Sequence, residues 1–110
     1  MPGSDVEEAV SKFARRVDAN HGLVKSALIA AGAKVHDLSS TGGGVPDLLI
    51  GINGRLALFE VKDGAKVKSA QKLTKAQEEF HAMWAGFPIC TVDGPEAALR
   101  HLKVLQSSKT

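Results

Sequence analysis

The chain has no tyrosine, one tryptophan and a single cysteine among its 110 residues. A lone cysteine, Cys90, cannot close an internal disulfide, and its setting FPICTV reads as a small buried hydrophobe. No Cys/His pattern has zinc spacing. Aromatic platforms for stacking unpaired bases are scarce, with only Phe and Trp to supply them. No apolar run is long enough to span a bilayer and no signal peptide is seen, so a soluble, cytoplasmic protein is expected. Charge of one sign is lacking too: 14 Lys and Arg against 12 Asp and Glu leave a net +2, too small to argue for a nucleic-acid partner. The distribution says more. Lys62, Lys66, Lys68, Lys72 and Lys75 fall close together with only Asp63 opposing them, which makes either a solvated loop or a basic rim that meets phosphates.

What is present fits one domain with an ordinary globular composition, 44% hydrophobic and 24% charged. There are no internal repeats. Ser4 and Glu7 resemble a capping box, and Val6, Val10, Phe13 and Val17 follow helical spacing, so a first helix is expected over about 5–16. Residues 1–17 are then an N-terminal helix, 18–105 the main domain and 106–110 a flexible tail. Asp18 or Asn20 can cap the next helix, with Val24, Ala27, Leu28 and Ala31 as its stripe and Gly32 as its terminator. This helix either merges with the first or is separated from it near Asn20 and Gly22.

Lys34 to Leu38 reads as a strand, STGGGVP as a loop, and 47–52 and 55–62 as two further strands. DGAKVKSAQK reads as a polar linker. Thr74 and Gln77 make a second capping box, opening a helix with Ala76, Phe80, Met83 and Trp84 inward; Gly86 ends it. Pro88 to Val92 is a short buried strand. Asp93 then caps a last helix with Pro95 in its first turn and Ala98, Leu102 and Leu105 on one face. The expected architecture is α/β, a mixed central sheet flanked by helices.

The segment VPDLLIGINGRLALFEVK is core-like yet carries Asp47, Arg55, Glu60 and Lys62. Asn53-Gly54 between its strands is the signature of a two-residue type I′ turn. If Ile52 faces Arg55, Asp47 faces Glu60, and directly opposite side chains share a face with Cβ atoms about 4.5–5.5 Å apart. The two-residue period adds Lys62 to that face. Two carboxylates side by side repel, and burial raises the cost. Lys62 offers one compensating charge and a divalent cation two; hard oxygen donors suit Mg²⁺ or Mn²⁺ better than zinc. The plainer alternative is a Pro-Asp turn and an exposed Glu-Lys pair at a strand end.

Pro46-Asp47 followed by Glu60-Val61-Lys62 resembles the PD-(D/E)XK nuclease signature. GGGVPDLLIG, GRLALFEVKDG and LTKAQEEFH, with a glycine and then a strand after them, resemble the VRR-NUC branch, notably its small stand-alone phage and prophage members. The likeness covers about residues 18–102. It implies a restriction-endonuclease-like fold and metal-dependent endonuclease hydrolysis of DNA, with a homodimer on branched, Holliday-junction-like substrates. By position, it implies Asp47 and Glu60 as metal ligands with the Val61 carbonyl as third. Lys62 would orient or deprotonate the attacking water. Gln77 matches a glutamine of the family, although the capping box already explains it. Lys66, Lys68, Lys72 and Lys75 would approach flanking phosphates. One departure stands out: relatives often carry a glutamate early in the helix before the first strand, and DANHGLVKSAL has none. Asp18, Asn20, His21 or, from the preceding helix, Glu8 are the candidates to substitute. The same signature fits a catalytically weak DNA-binding module or a structural subunit of a larger complex.

Overall fold

The computed structural model describes residues 19–63 and 72–107. Within them the chain forms an α/β domain with a four-stranded mixed sheet and three helices. Helical residues 19–30 (α1) are followed by β1 (Lys34–Asp37), β2 (Leu48–Ile52), β3 (Arg55–Val61), α2 (Lys75–Met83), β4 (Ile89–Val92) and α3 (Pro95–Ser107). The sheet order is β1-β2-β3-β4. β1, β2 and β3 are antiparallel neighbours, and β4 joins β3 in parallel after α2. The expected helix over 5–16, and the positions of Asp18, Lys66 and Lys68, lie outside the described residues.

Gly32 ends α1 in the left-handed region, at φ 99°. The Ala33 amide donates to the Leu28 carbonyl and the Gly32 amide to that of Ile29, both at 3.0 Å, which is a Schellman ending. Residues 19–30 are one continuous helix through Gly22. Asn20 therefore does not cap this helix; it lies within it, and its amide reaches the sheet instead.

The hairpin takes the expected register. Asn53 and Gly54 both have positive φ, 52° and 73°, as a type I′ turn requires. Ile52 pairs with Arg55 and Leu48 with Phe59. Asp47 sits one residue before β2 rather than inside it, and its carbonyl accepts the Leu38 amide at 2.7 Å, extending the β1–β2 ladder. Lys62 likewise lies one residue past β3, although its amide still donates to the Val92 carbonyl at 2.8 Å.

The core forms on one sheet face. Leu48, Ile50, Ala57, Phe59 and Val92 alternate toward Val24 and Leu28 of α1 and toward Ala97, Ala98, Leu102 and Leu105 of α3. At about 25 cal/mol per Å² of apolar area, each large side chain buried here is worth about 1.5–3 kcal/mol. The opposite face is covered less, with Leu56 64% exposed.

Three expectations fail in the helices. None of α2's residues is buried, and Ala76, Met83 and Trp84 are exposed. Its aromatics pack on one another: Phe80 stacks on Trp84 at 5.6 Å, and Trp84 meets Phe87 edge-on at 5.4 Å. Helical spacing revealed an apolar stripe but not which surface it meets. Second, α3 starts at Pro95, with the Ala98 amide donating to the Gly94 carbonyl at 3.1 Å, so Gly94 and not Asp93 takes the cap position. Third, Gln106 and Ser107 belong to α3 rather than to a tail. The Asn53 amide donates to the Gln106 carbonyl at 3.1 Å, tying the helix end to the hairpin turn.

Candidate functional site

At the open end of the β2–β3 hairpin a cavity of about 300 Å³ is lined by Asn20, His21, Ser39, Asp47, Glu60, Val61, Lys62 and Asp63. Pairing brings Asp47 and Glu60 together across the strands. The Val61 amide donates to Asp47 Oδ2 at 2.8 Å, which fixes that carboxylate over β3.

Glu60 is 3% exposed. The Gln77 side-chain amide donates to its Oε2 at 3.0 Å, whereas its buried Oε1 receives no donor. Burial, and then the neighbouring Asp47 charge, push the Glu60 carboxyl up to about 8, and the Lys62 ammonium only partly offsets them. An acid held this high shares a hydrogen bond with Asp47 while it keeps its proton.

Lys62 is held in turn. Its Nζ donates to Gln77 Oε1 at 2.8 Å, and the Thr74 amide donates to the same oxygen at 2.8 Å. The Gln77 amide donates back to Thr74 Oγ1 at 3.2 Å, which completes the capping box. The capping explanation and a role in the site are therefore both true of Gln77. One carboxamide closes the first turn of α2, accepts from the lysine and donates to the glutamate. Its reach depends on Gly44. A Cβ there would lie 2.2 Å from the Ala76 carbonyl oxygen, and φ is 82°, so only glycine lets the STGGGVP loop press this closely on α2.

On the other side of the cavity Asn20 donates to the Lys62 carbonyl at 2.6 Å and to the Asp93 carbonyl at 3.4 Å, fastening α1 to the strand ends. His21 is buried, with Nε2 2.9 Å from Asp37 Oδ2. Asp37 also accepts from Lys25 Nζ at 3.2 Å and from both the amide and the hydroxyl of Ser39. Partial burial works against ionisation of Asp37, but these hydrogen bonds outweigh it and hold the carboxyl well below the usual carboxylate range.

Sequence reasoning missed this Asp37 cluster, although Asp37-Leu38-Ser39 at a strand end is an Asx-turn pattern. It also gave His81 no role. His81 lies one turn beyond Gln77, and its buried Nε2 has no partner; burial, and then the Lys62 charge, lower its pKa. Lys72 and Lys75 are exposed. Cys90 is half-buried rather than buried as expected, packed against the edge of the core; burial still pushes its thiol up to about 12. Among the described residues no three His, Cys, Asp or Glu side chains gather to hold an ion as they stand. No described helix is long and apolar enough to cross a membrane.

Comparison with protein-family models, with curated proteins and with solved structures returned no match.

Proposed function

We propose that this chain is a divalent-cation-dependent endodeoxyribonuclease of the PD-(D/E)XK type, with a restriction-endonuclease-like arrangement similar to the VRR-NUC branch. One observation carries the reading. Asp47 and Glu60 stand side by side with Lys62 within reach, and a nearly fully buried carboxylate keeps one oxygen without a donor. An unsatisfied buried polar atom is costly, and a cation shared with Asp47 would satisfy this oxygen where the retained proton otherwise does.

The donor set fits Mg²⁺ or Mn²⁺: two carboxylates, with the Val61 carbonyl as the implied third oxygen. A bound cation would neutralise charge on a phosphodiester and acidify a nearby water. The chain's own groups do the rest. Asp47 is oriented by the Val61 amide, and Glu60 by Gln77. Lys62, steadied by Gln77 Oε1, places its ammonium where negative charge grows in the transition state. Lys72 and Lys75, with Lys66 and Lys68 of the same basic stretch, meet the flanking phosphates. Branched DNA is the proposed substrate and a homodimer the acting form, since paired cuts need two sites related by a two-fold axis.

The test is a panel of branched and linear DNAs with Mg²⁺ or Mn²⁺, run beside Asp47→Ala. Cleavage of branched substrates that is lost in Asp47→Ala and in chelator is the expected result. Undiminished cleavage in chelator or by the variant would sink the assignment. A second reading, a DNA-binding module with weak or no catalysis, draws on the absence of a gathered three-ligand cluster among the described residues. Calorimetry with Mn²⁺ separates the two: no binding by the free protein favours the module, whose DNA affinity would persist without metal and fall steeply with salt.

A further inference from the structure

The chain has two asparagines, Asn20 and Asn53. Asn20 lies within α1, is followed by the buried His21, and has its carboxamide fastened to the Lys62 carbonyl. Asn53 is exposed at the hairpin turn, and so is Gly54 after it. We propose that Asn53 is a site of spontaneous deamidation, in which the Arg55 guanidinium activates the Gly54 amide and the tie to α3 restrains the reaction. The inference concerns the hairpin turn and does not depend on the nuclease reading.

In the reaction the Gly54 amide gives its proton to hydroxide, and its nitrogen attacks Cγ of Asn53. A cyclic imide forms as the Cγ–Nδ2 bond breaks. Ammonia leaves with a proton from water, which restores the hydroxide. A second water then opens the imide. Opening at the side-chain carbonyl gives aspartate; opening at the backbone carbonyl gives isoaspartate, with the chain running through the side chain. Nothing is oxidised or reduced, and water is the only co-reactant.

Three features of the turn favour the attack. The type I′ turn closes through Ile52 and Arg55, so the Gly54 amide stays outside the strand ladder. Apart from its chain neighbours, nothing lies within 4 Å of where a Gly54 Cβ would stand, so the nucleophile is unscreened. Arg55 Nη1 donates to the Asn53 carbonyl at 3.3 Å. That oxygen belongs to the same peptide group as the Gly54 amide, and it gathers negative charge when the amide proton leaves. A cation bonded there favours the deprotonated form.

The tie to α3 works the other way. Asn53 Nδ2, the leaving nitrogen, donates to the Gln106 carbonyl at 3.1 Å. The carboxamide is thereby held on the helix, and attack waits until the last turn of α3 releases it. Conversion makes that release permanent. Aspartate would set a second acceptor against the Gln106 carbonyl at the negative end of α3. Isoaspartate adds a backbone methylene that a two-residue turn cannot hold.

Peptide mass spectrometry on the full chain, aged at mildly alkaline pH, tests this. The expected result is replacement of NH₂ by OH at Asn53 with Asn20 unchanged, and a product that an isoaspartate-specific methyltransferase modifies. Arg55→Met should slow conversion about tenfold, the loss of one charged hydrogen bond. Gln106→Gly, which weakens the last turn of α3, should speed it about fivefold. Asn53→Gly keeps a pair that suits the turn, and should remain folded and show no mass change. An Asn53 that stays intact in the folded chain while a synthetic peptide of residues 49–57 converts would overturn the site. Equal rates in wild type and Arg55→Met would overturn the activation, and equal rates in wild type and Gln106→Gly the restraint. The peptide comparison uses the wild-type chain, so a folding defect in a variant cannot blur it.

Discussion

Two carboxylates mark opposite sides of the same polar region and have opposite fates. Asp37, at the end of β1, receives hydrogen bonds from Ser39, Lys25 and His21, and its carboxyl is held well below the ordinary range. Glu60, at the end of β3, is more deeply buried, receives one side-chain donor and faces another carboxylate; its carboxyl is pushed up to about 8. The residue chemistry is nearly the same, so supply of donors makes the difference. Asp37 is a finished structural anchor that orients His21 and pins the β1–β2 loop. Glu60 is left short of donors, and that shortage is what a cation or a substrate proton would relieve.

The sharpest way to break this contrast is to remove the under-supplied side. Asp47→Ala or Glu60→Gln should lower cation-dependent cleavage at least about 10³-fold, as loss of a transition-state electrostatic group does. Circular dichroism should show the fold retained, because neither side chain holds core area. If Glu60→Gln cleaved like the wild type, the donor shortage would have no catalytic meaning.

The supplied side should fail differently. Asp37→Asn keeps one acceptor oxygen but replaces the other with an NH₂ group, so the donors of Lys25 and His21 or those of Ser39 are stranded, and it should cost about 1–3 kcal/mol in urea unfolding at neutral pH. The sign also follows. A carboxyl lowered in the folded state stabilises the fold above the ordinary carboxylate range, and that stability is lost as pH falls through and below it. The gap between Asp37→Asn and wild type should therefore close in acid.

Glu60 has the reverse sign. Its folded-state value of about 8 lies above the ordinary 4.5, so between these the folded chain binds more proton than the unfolded one. Stability should fall as pH rises through that window. Urea unfolding at pH 5, 6.5 and 8 should show the decline in wild type and not in Glu60→Gln, and saturating Mn²⁺ should flatten it. The smallest effect is expected at the link between α2 and the site. Gln77→Ala removes a cap and both side-chain contacts, and should cost about 1 kcal/mol of stability and about tenfold in rate, read as a lower kcat rather than a raised KM.

Much of the hairpin could be read from the sequence alone. Asn53-Gly54 determines a type I′ turn, the turn determines the register, and the register makes Asp47 and Glu60 neighbours because strand pairing is local arithmetic. The capping box of Thr74 and Gln77 and the glycine that ends α1 were legible for the same reason: their partners are a few residues away. What α2 faces was not legible, since helical periodicity shows a stripe without its target, and its aromatics stack on one another near the surface. Nor was the gathering of His21, Lys25 and Ser39 on Asp37, or Asn53 closing α3. The sequence by itself determined which carboxylates meet and that they need compensation. Only the tertiary structure decided how each is compensated, because donor supply depends on contacts between segments far apart in the chain: Gln77 from α2 for Glu60, and His21 and Lys25 from α1 for Asp37.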